Sequence, residues 1–357
     1  PEKTKELDYF YPTNTLVTGY DIIFFWVVRM VFSGYEQTGK SPFDTVLIHG
    51  LVRDEQGRKM SKSLGNGINP LDVIAQYGAD ALRFTLITGN APGNDMRYTE
   101  KRVIASRNFA NKIWNASRFI MMNLEQADFS DVTLEDLTSA DKWILSKLNT
   151  LAKDVTDNME KYELGIAVQK LNDFLWEEFC DWYIEMVKPR LYNDEDQTKA
   201  AALWTLNTVL TEALKLLHPY MPFVTEEIFC TIQDEEESIM ISAWPEYSEE
   251  NTFAKEEAAD GMDCPMEAIY ETKLLYHFHE YIKRCMEANQ ELDLEELERR
   301  NPDIVLVTNE LGYGVVPIDK FDRAYREKTG RVCCQAARRA SEVHRVVCGI
   351  GTVIKHG

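Results

Sequence analysis

Gly57-Arg-Lys-Met-Ser-Lys-Ser-Leu-Gly-Asn66 concentrates the residue types that could handle phosphate. Lys59 and Lys62 lie three apart between two flanking glycines, and Ser61 and Ser63 add hydroxyl donors. Such a stretch has no core to build and reads as a mobile, cationic, donor-rich loop. Two ammonium groups can neutralise charge growing on phosphate oxygens, while hydroxyls and backbone N–H groups donate hydrogen bonds to them. A lone K-x-x-K is usually a solvated basic turn. Ten residues of this composition in this order are a more specific signal.

The elements around the loop follow the rhythm of a doubly wound α/β fold, whose ligands sit at the carboxyl ends of strands. Thr15–Asp21 reads as a strand ending in a glycine turn. Ile22–Phe32 is apolar on every side and predicts a buried helix. Thr45–His49 predicts a second strand. Gly19 lets a ligand approach the backbone, and Asp21 is either a helix N-cap or an acceptor for a ribose hydroxyl. His49 is a strand-end histidine whose role depends on its neighbours.

Beyond Arg97 the period becomes helical. Phe109, Ile113, Ala116 and Ile120 form one stripe, and Leu171, Leu175, Phe179, Trp182 and Met186 another, ending at Pro189. Leu203, Leu206, Leu210, Leu214 and Leu217 form a further stripe that stops before His218-Pro219. Thr138, Ser139 and Asp141 offer caps for a helix through Trp143. Such stripes predict a helical bundle with Trp176 and Trp182 in its core. Lys101, Arg102, Arg107, Lys188 and Arg190 are the candidate contacts to RNA phosphates, each also readable as a merely solvated cation.

The chain has 357 residues, 45% apolar and 11% aromatic, enough for two or three packed domains. Its formal charge of −20 argues against a generally sticky nucleic-acid coat, so RNA contacts must be local basic patches. Seven cysteines without a C-x-x-C pair suggest a reducing cytoplasm and supply no zinc spacing. The longest apolar run, Ile22–Val28, is too short to span a bilayer. We expect a cytoplasmic chain, no resident metal and no membrane association.

Three stretches carry a resemblance to the valyl branch of the class I aminoacyl-tRNA synthetases. They are Thr18-Gly-Tyr-Asp-Ile-Ile-Phe-Phe-Trp-Val-Val-Arg-Met30, the lysine loop, and Gly89-Asn-Ala-Pro-Gly-Asn-Asp-Met-Arg97. Phe179-Cys-Asp-Trp-Tyr-Ile-Glu185 and Leu217-His-Pro-Tyr-Met-Pro-Phe-Val-Thr-Glu-Glu227 look like landmarks of that group's helical anticodon-binding domain. The resemblance covers about residues 1–250. It implies ATP-dependent activation of valine, with Mg2+, followed by transfer to tRNA-Val, in a monomer. It implies that Lys59 and Lys62 are the catalytic residues, that Gly19, Asp21 and His49 lie near the adenosine, and that Met60, Ser61 and Ser63 complete the ATP-binding loop. The family's HIGH-type histidine motif and editing domain are not found here, so the chain alone is expected to be inactive in aminoacylation. A tRNA-binding module without catalysis is the alternative.

Residues 249–265 are acidic with glycine and proline breakers, and read as a linker joining two unrelated pieces. The expected remainder is a helix near 266–290, a strand at Asp303–Glu310, a turn at Leu311–Pro317, a helix near 319–341 and a terminal strand Val343–Ile350. Val305–Gly351 resembles the carboxyl end of bifunctional adenosylcobinamide kinase/adenosylcobinamide-phosphate guanylyltransferase, so a cobalamin-pathway nucleotidyltransferase fragment is a further reading. Gly312-x-Gly314 is a weak nucleotide signal, and His277 and His279 make a poor metal pair. The whole is expected to be an α/β piece of a Rossmann-type domain, then an all-α bundle, then a short α/β end-piece. The expected domains are 1–100, 101–248, the linker 249–265, and 266–357.

Overall fold

Two β-branched runs with a helix between them form a parallel strand pair, because parallel neighbours need a crossover long enough to return the chain. The computed structural model describes residues 2–89, 92–124, 129, 131–233, 236–251, 253, 258–311, 317, 319–347 and 350–355. Helix α1 (Lys5–Phe10) starts at Thr4, whose side chain accepts the Leu7 N–H. Strand β1 (Thr13–Gly19) pairs with β2 (Phe43–His49), placing Gly19 opposite His49. Between them a π-helical turn, Ile23–Val27, leads into α2 (Val28–Thr38).

This crossover corrects the expected buried helix. Val27 is buried, but Phe24 is 81% exposed, Phe25 70% and Phe32 62%. An all-round apolar sequence gives each face an affinity for apolar surface; among the described residues only one face finds it.

Strand β3 (Val52–Arg53) precedes the lysine loop, and α3 (Pro70–Tyr77) and α4 (Ala79–Ile87) follow it. Asn69 caps α3 through the Leu71 N–H, with Pro70 at the first helical position, where its missing N–H costs nothing. Strand β4 (Met96–Arg97) pairs in parallel with β3. Val73, Ala81, Leu82, Tyr98 and Val103 form the core beside the loop.

The helices are α5 (Glu100–Leu124), α6 (Ser139–Glu160), α7 (Leu164–Asp173) running on into a π-helical Phe174–Tyr183, α8 (Ile184–Leu191), α9 (Lys199–Leu217) and α10 (Pro222–Ile232). The expected stripes face inward: Phe109, Ile113 and Ile120, then Leu171, Leu175 and Phe179, then all five leucines of α9 are buried. Trp176 and Trp182 are half-buried. Helix α8 passes through Pro189 and ends at Leu191, two residues later than expected. Arg190 explains the extension, since its guanidinium ties the last turn to Asp141 and to Thr198.

Contacts between Cα atoms divide the chain into two compact units. One comprises Pro1–Ser117, Leu151–Asp173 and Ala213–Pro245; the other comprises Arg118–Thr150, Phe174–Glu212 and Glu246–Gly357. In the first, the buried Asp80 carboxylate accepts the Phe223 and Val224 N–H groups at 3.3 and 2.7 Å, meeting the orphan donors and positive end of α10.

The second unit contains a three-stranded parallel sheet, β5 (Ala258–Asp260), β6 (Leu274–Tyr276) and β7 (Val305–Leu306), in that order. Helices α11 (Phe278–Glu287), α12 (Leu294–Arg300) and α13 (Lys320–Arg339) accompany it, followed by the antiparallel hairpin of β8 (Val343–Val347) and β9 (Ile350–Lys355). The continuous helix expected at 266–290 is instead a 3-10 turn, strand β6 and α11, because β6 pairs with strands on both sides. Of the expected strand 303–310 only Val305–Leu306 is paired, and the expected terminal strand is a hairpin. Gly312 and Gly314 lie outside the described residues.

This sheet packs on the unit's own helices. Lys147 of α6 lies 3.3 Å from both Glu178 and Asp260, and over the Tyr276 ring at 5.1 Å. His277 Nδ1 is 3.1 Å from Asp260, and Trp182 meets the His277 ring edge-on. The backbone of the acidic stretch is held as well: Ser248 donates to Asn149 and Phe253 to Ser146.

Candidate functional site

The lysine loop grows from a tight turn. The Gly57 N–H donates to the Asp54 carbonyl at 2.9 Å, and Gly57 has φ +80°, a left-handed conformation that favours glycine. Arg53 then bridges back to Lys59 in antiparallel fashion. Asp54, only 6% exposed, accepts from Arg58 N–H and Nε at 2.7 Å each and from Asn66 Nδ2 at 2.9 Å. The Asn66 amide, together with Arg58, outweighs burial and pulls the Asp54 carboxyl down to about 2.

Asn66 continues the network. Its Oδ1 accepts the Ser61 N–H at 2.9 Å, and its Nδ2 also reaches the Lys59 carbonyl at 3.3 Å. Ser61 Oγ accepts the Leu64 N–H and lies 3.1 Å from Ser63 Oγ. Met60 points the other way, into the Val73–Val103 core cluster, so it fixes the loop by packing. Lys59 and Lys62 are left projecting from an anchored arc. Lys62 is exposed and has no ion pair among the described residues.

Gly19, Asp21 and His49 do converge. A Cβ on Gly19 would stand 2.8 Å from Asp21 Oδ1 and 3.5 Å from His49 Cε1, so a side chain there would displace the Asp21 carboxylate. Asp21 is given to Lys59, with Nζ to Oδ2 at 2.9 Å, rather than left free for a hydroxyl. That hydrogen bond holds the Asp21 carboxyl below its ordinary range. His49 Nδ1 lies 2.8 Å from the Gly50 carbonyl. Behind these residues Asp95 accepts the Leu51 N–H at 2.7 Å, the Tyr20 hydroxyl at 3.1 Å and the Arg53 guanidinium, which sets β3 and hence the loop's root.

Sequence reasoning missed Asp54, Asn66, Arg53 and Asp95 as parts of this site. One signal was available: Asp54 with Gly57 is the i and i+3 pattern of a turn, and Arg58 is four residues on. The Asn66 partnership had no local signal.

The five candidate RNA contacts separate by geometry. Lys101 is exposed at the start of α5. Arg102 donates to the Thr88 carbonyl at 2.7 Å, capping the end of α4. Arg107 stacks over Tyr77 at 5.7 Å. Lys188 pairs with Glu185 at 2.6 Å and lies over the Phe119 ring. Arg190 is 13% exposed and forms a two-pronged pair with the fully buried Asp141 at 2.8 and 3.0 Å. The structure therefore removes Arg190 from the solvent-facing cations, because its guanidinium is consumed in holding α6 to α8.

Among the described residues no group of three His, Cys, Asp or Glu side chains could hold a metal ion, and no helix is long and apolar enough to cross a membrane. The site presents two ammonium groups, hydroxyl donors and backbone N–H groups on a fixed loop beside a carboxylate and an imidazole. It can bind and neutralise a polyphosphate.

Residues 1–99 match the tRNA synthetases class I (I, L, M and V), and residues 141–292 the anticodon-binding domain of tRNA ligase. Residues 249–354 match cobinamide kinase / cobinamide phosphate guanyltransferase. Over 272 residues the chain is 61% identical to the valine–tRNA ligase of Clostridium perfringens, covering 75% of this chain and 30% of that protein. The valine–tRNA ligase of Carboxydothermus hydrogenoformans is 52% identical over 275 residues, 77% of this chain and 31% of its own. The chain thus spans under a third of the length of these relatives. Its fold is shared with the LeuRS–tRNA–LeuAMS complex of Agrobacterium radiobacter K84, with TM-score 0.55 at 21% identity, covering 68% of this chain and 30% of that one. It is shared also with Mycobacterium tuberculosis methionyl-tRNA synthetase bound to methionyl-adenylate, with TM-score 0.53 at 21% identity, covering 63% and 45%.

Proposed function

We propose that this chain, whose residues 1–99 and 141–292 carry the two family signatures of a class I tRNA ligase, supplies the phosphate-handling loop and the tRNA-holding helices of a valine–tRNA ligase. The reaction is ATP-dependent activation of valine to an adenylate and transfer to tRNA-Val. The observation that carries the reading is the anchored loop presenting Lys59 and Lys62. Their charge stabilises the α-phosphate under attack and the departing pyrophosphate, which requires placement and no tuning of their basicity. Lys59 reaches the phosphates by exchanging the Asp21 carboxylate for a phosphate oxygen. Gly19 and His49 border the adenosine, and Ser61 and Ser63 donate hydrogen bonds. Mg2+ enters with the triphosphate, whose oxygens supply its ligands. Of the five candidate cations Lys101 is the exposed one, which favours it for tRNA contact. The setting is a cytoplasmic monomer.

The test is a chimaera in which residues 1–248 replace the matching segment of the Clostridium perfringens ligase. Valine-dependent ATP–pyrophosphate exchange should persist in it. Lys62→Ala should lower kcat about 10²- to 10³-fold with a smaller effect on valine KM. An unchanged kcat in that variant refutes the reading. The chain by itself should give no exchange, since the 357 residues contain no HIGH-type histidine motif.

A further inference from the structure

We propose that Asp54 and Asn66 form a clasp that sets the loop's working shape, which makes both of them positioning residues for Lys59 and Lys62; this rests on the phosphate-binding reading above. Asp54 is buried while the loop it serves is largely exposed, and both of its oxygens are used. It joins Arg58, at the entry of the loop, to Asn66, at the exit. Asn66 employs both ends of its amide: Oδ1 takes the Ser61 N–H, and Nδ2 bridges Asp54 and the Lys59 carbonyl. The Lys59 carbonyl and Ser61 amide are thereby held on either side of Met60, which packs into the core. The arc from Ser61 to Asn66, which carries Lys62, is held by these side-chain bonds and a Gly65 N–H to Lys62 carbonyl turn of 3.3 Å, not by a strand ladder.

The charge logic points the same way. A carboxylate free in a polyanion site would repel phosphate. Asp54 is spent on Arg58 and Asn66 and buried away from the solvent face, so it contributes geometry and not charge to the site. Neither clasp residue needs to touch the nucleotide.

Asp54→Ala and Asn66→Ala in the full chain test this without nucleotide, by amide hydrogen exchange at Arg58 and Ser61. Asp54→Ala should speed both amides about tenfold or more, since it removes the acceptor of the Arg58 N–H directly and releases Asn66. Asn66→Ala should speed Ser61 while sparing Arg58, whose acceptor remains. Unchanged exchange at Ser61 in Asn66→Ala overturns the clasp. Amides of α9 report global folding, and if Asp54→Ala unfolds them, the Asn66→Ala pattern alone decides. ATP affinity is then measured on the same variants. A loop that exchanges faster in Asn66→Ala yet binds ATP as the parent does overturns the positioning role. Lys62→Ala should lose ATP affinity with both amides still protected; full retention there would sink the phosphate-binding reading and leave the clasp's structural half standing.

Discussion

Asp141→Ala is a perturbation whose cost follows from the geometry. The carboxylate is fully buried and accepts from Thr138 N–H at 2.9 Å, Thr138 Oγ1 at 2.8 Å, Tyr183 hydroxyl at 2.6 Å, and Arg190 at 2.8 and 3.0 Å. Alanine strands a nearly buried guanidinium, unsatisfies a phenol with no access to water, and uncaps α6. Removing one partner of a buried ion pair costs about 3–5 kcal/mol. With a urea dependence of about 2–3 kcal/mol per molar for a chain of this size, the midpoint should fall by about 1–2 M. Trp143, two residues away and buried, reports the transition by fluorescence. Arg190→Met in the same chain should recover roughly 2 kcal/mol of the loss, because no lone charge is then left buried. A loss below about 1 kcal/mol in Asp141→Ala, or strict additivity in the pair, refutes the reasoning. Arg190→Met alone gives a second check: weakened tRNA binding with unchanged stability would return Arg190 to the RNA-binding set.

Lys147→Met should lower the unfolding free energy at pH 7 by about 1–3 kcal/mol, since it leaves Glu178 and Asp260 without their shared cation. The penalty should shrink as pH falls, because burial raises the Glu178 carboxyl above its ordinary value and its protonation removes one of the two stranded charges; a penalty that does not change with pH would exclude the network. The Asp54 carboxyl should titrate near 2, below its ordinary 3.8, when followed by its carboxyl carbon resonance. Its contribution to loop order is therefore complete above pH 4 and lost as pH falls through about 2; a midpoint near 4 would contradict the clasp geometry. Lys101→Ala should weaken tRNA binding slightly and reduce the salt slope by about one, whereas Arg102→Ala should act through stability by uncapping α4. Reversal of those two phenotypes in filter binding and thermal unfolding would overturn the sorting of the cations.

Local pattern carried much of this protein. The loop's composition pointed to phosphate chemistry, the reading proposed above, because charge and donor type are properties of the residues themselves. The leucines of α9 and the stripe through Phe109 announced a bundle, since a 3.6-residue period fixes which side chains share a face. Thr138 and Asp141 announced the start of α6, because caps act within one turn. Tertiary structure alone decided the rest. Lys101 and Arg190 are equivalent as cations in sequence, and only the approach of α6 to α8 buries one of them against a carboxylate 49 residues away. Asp54 and Asn66 look like ordinary loop residues until the arc closes. Leu274–Tyr276 sits in a helical-looking run, but becomes a strand because β5 and β7 offer hydrogen bonds on both edges. The apolar run from Ile22 states an affinity for apolar surface and cannot state which faces are covered. Hydrogen bonds, ion pairs and burial depend on partners brought together in space, and for Lys59 and Lys62 those partners determine where two mobile charges are held.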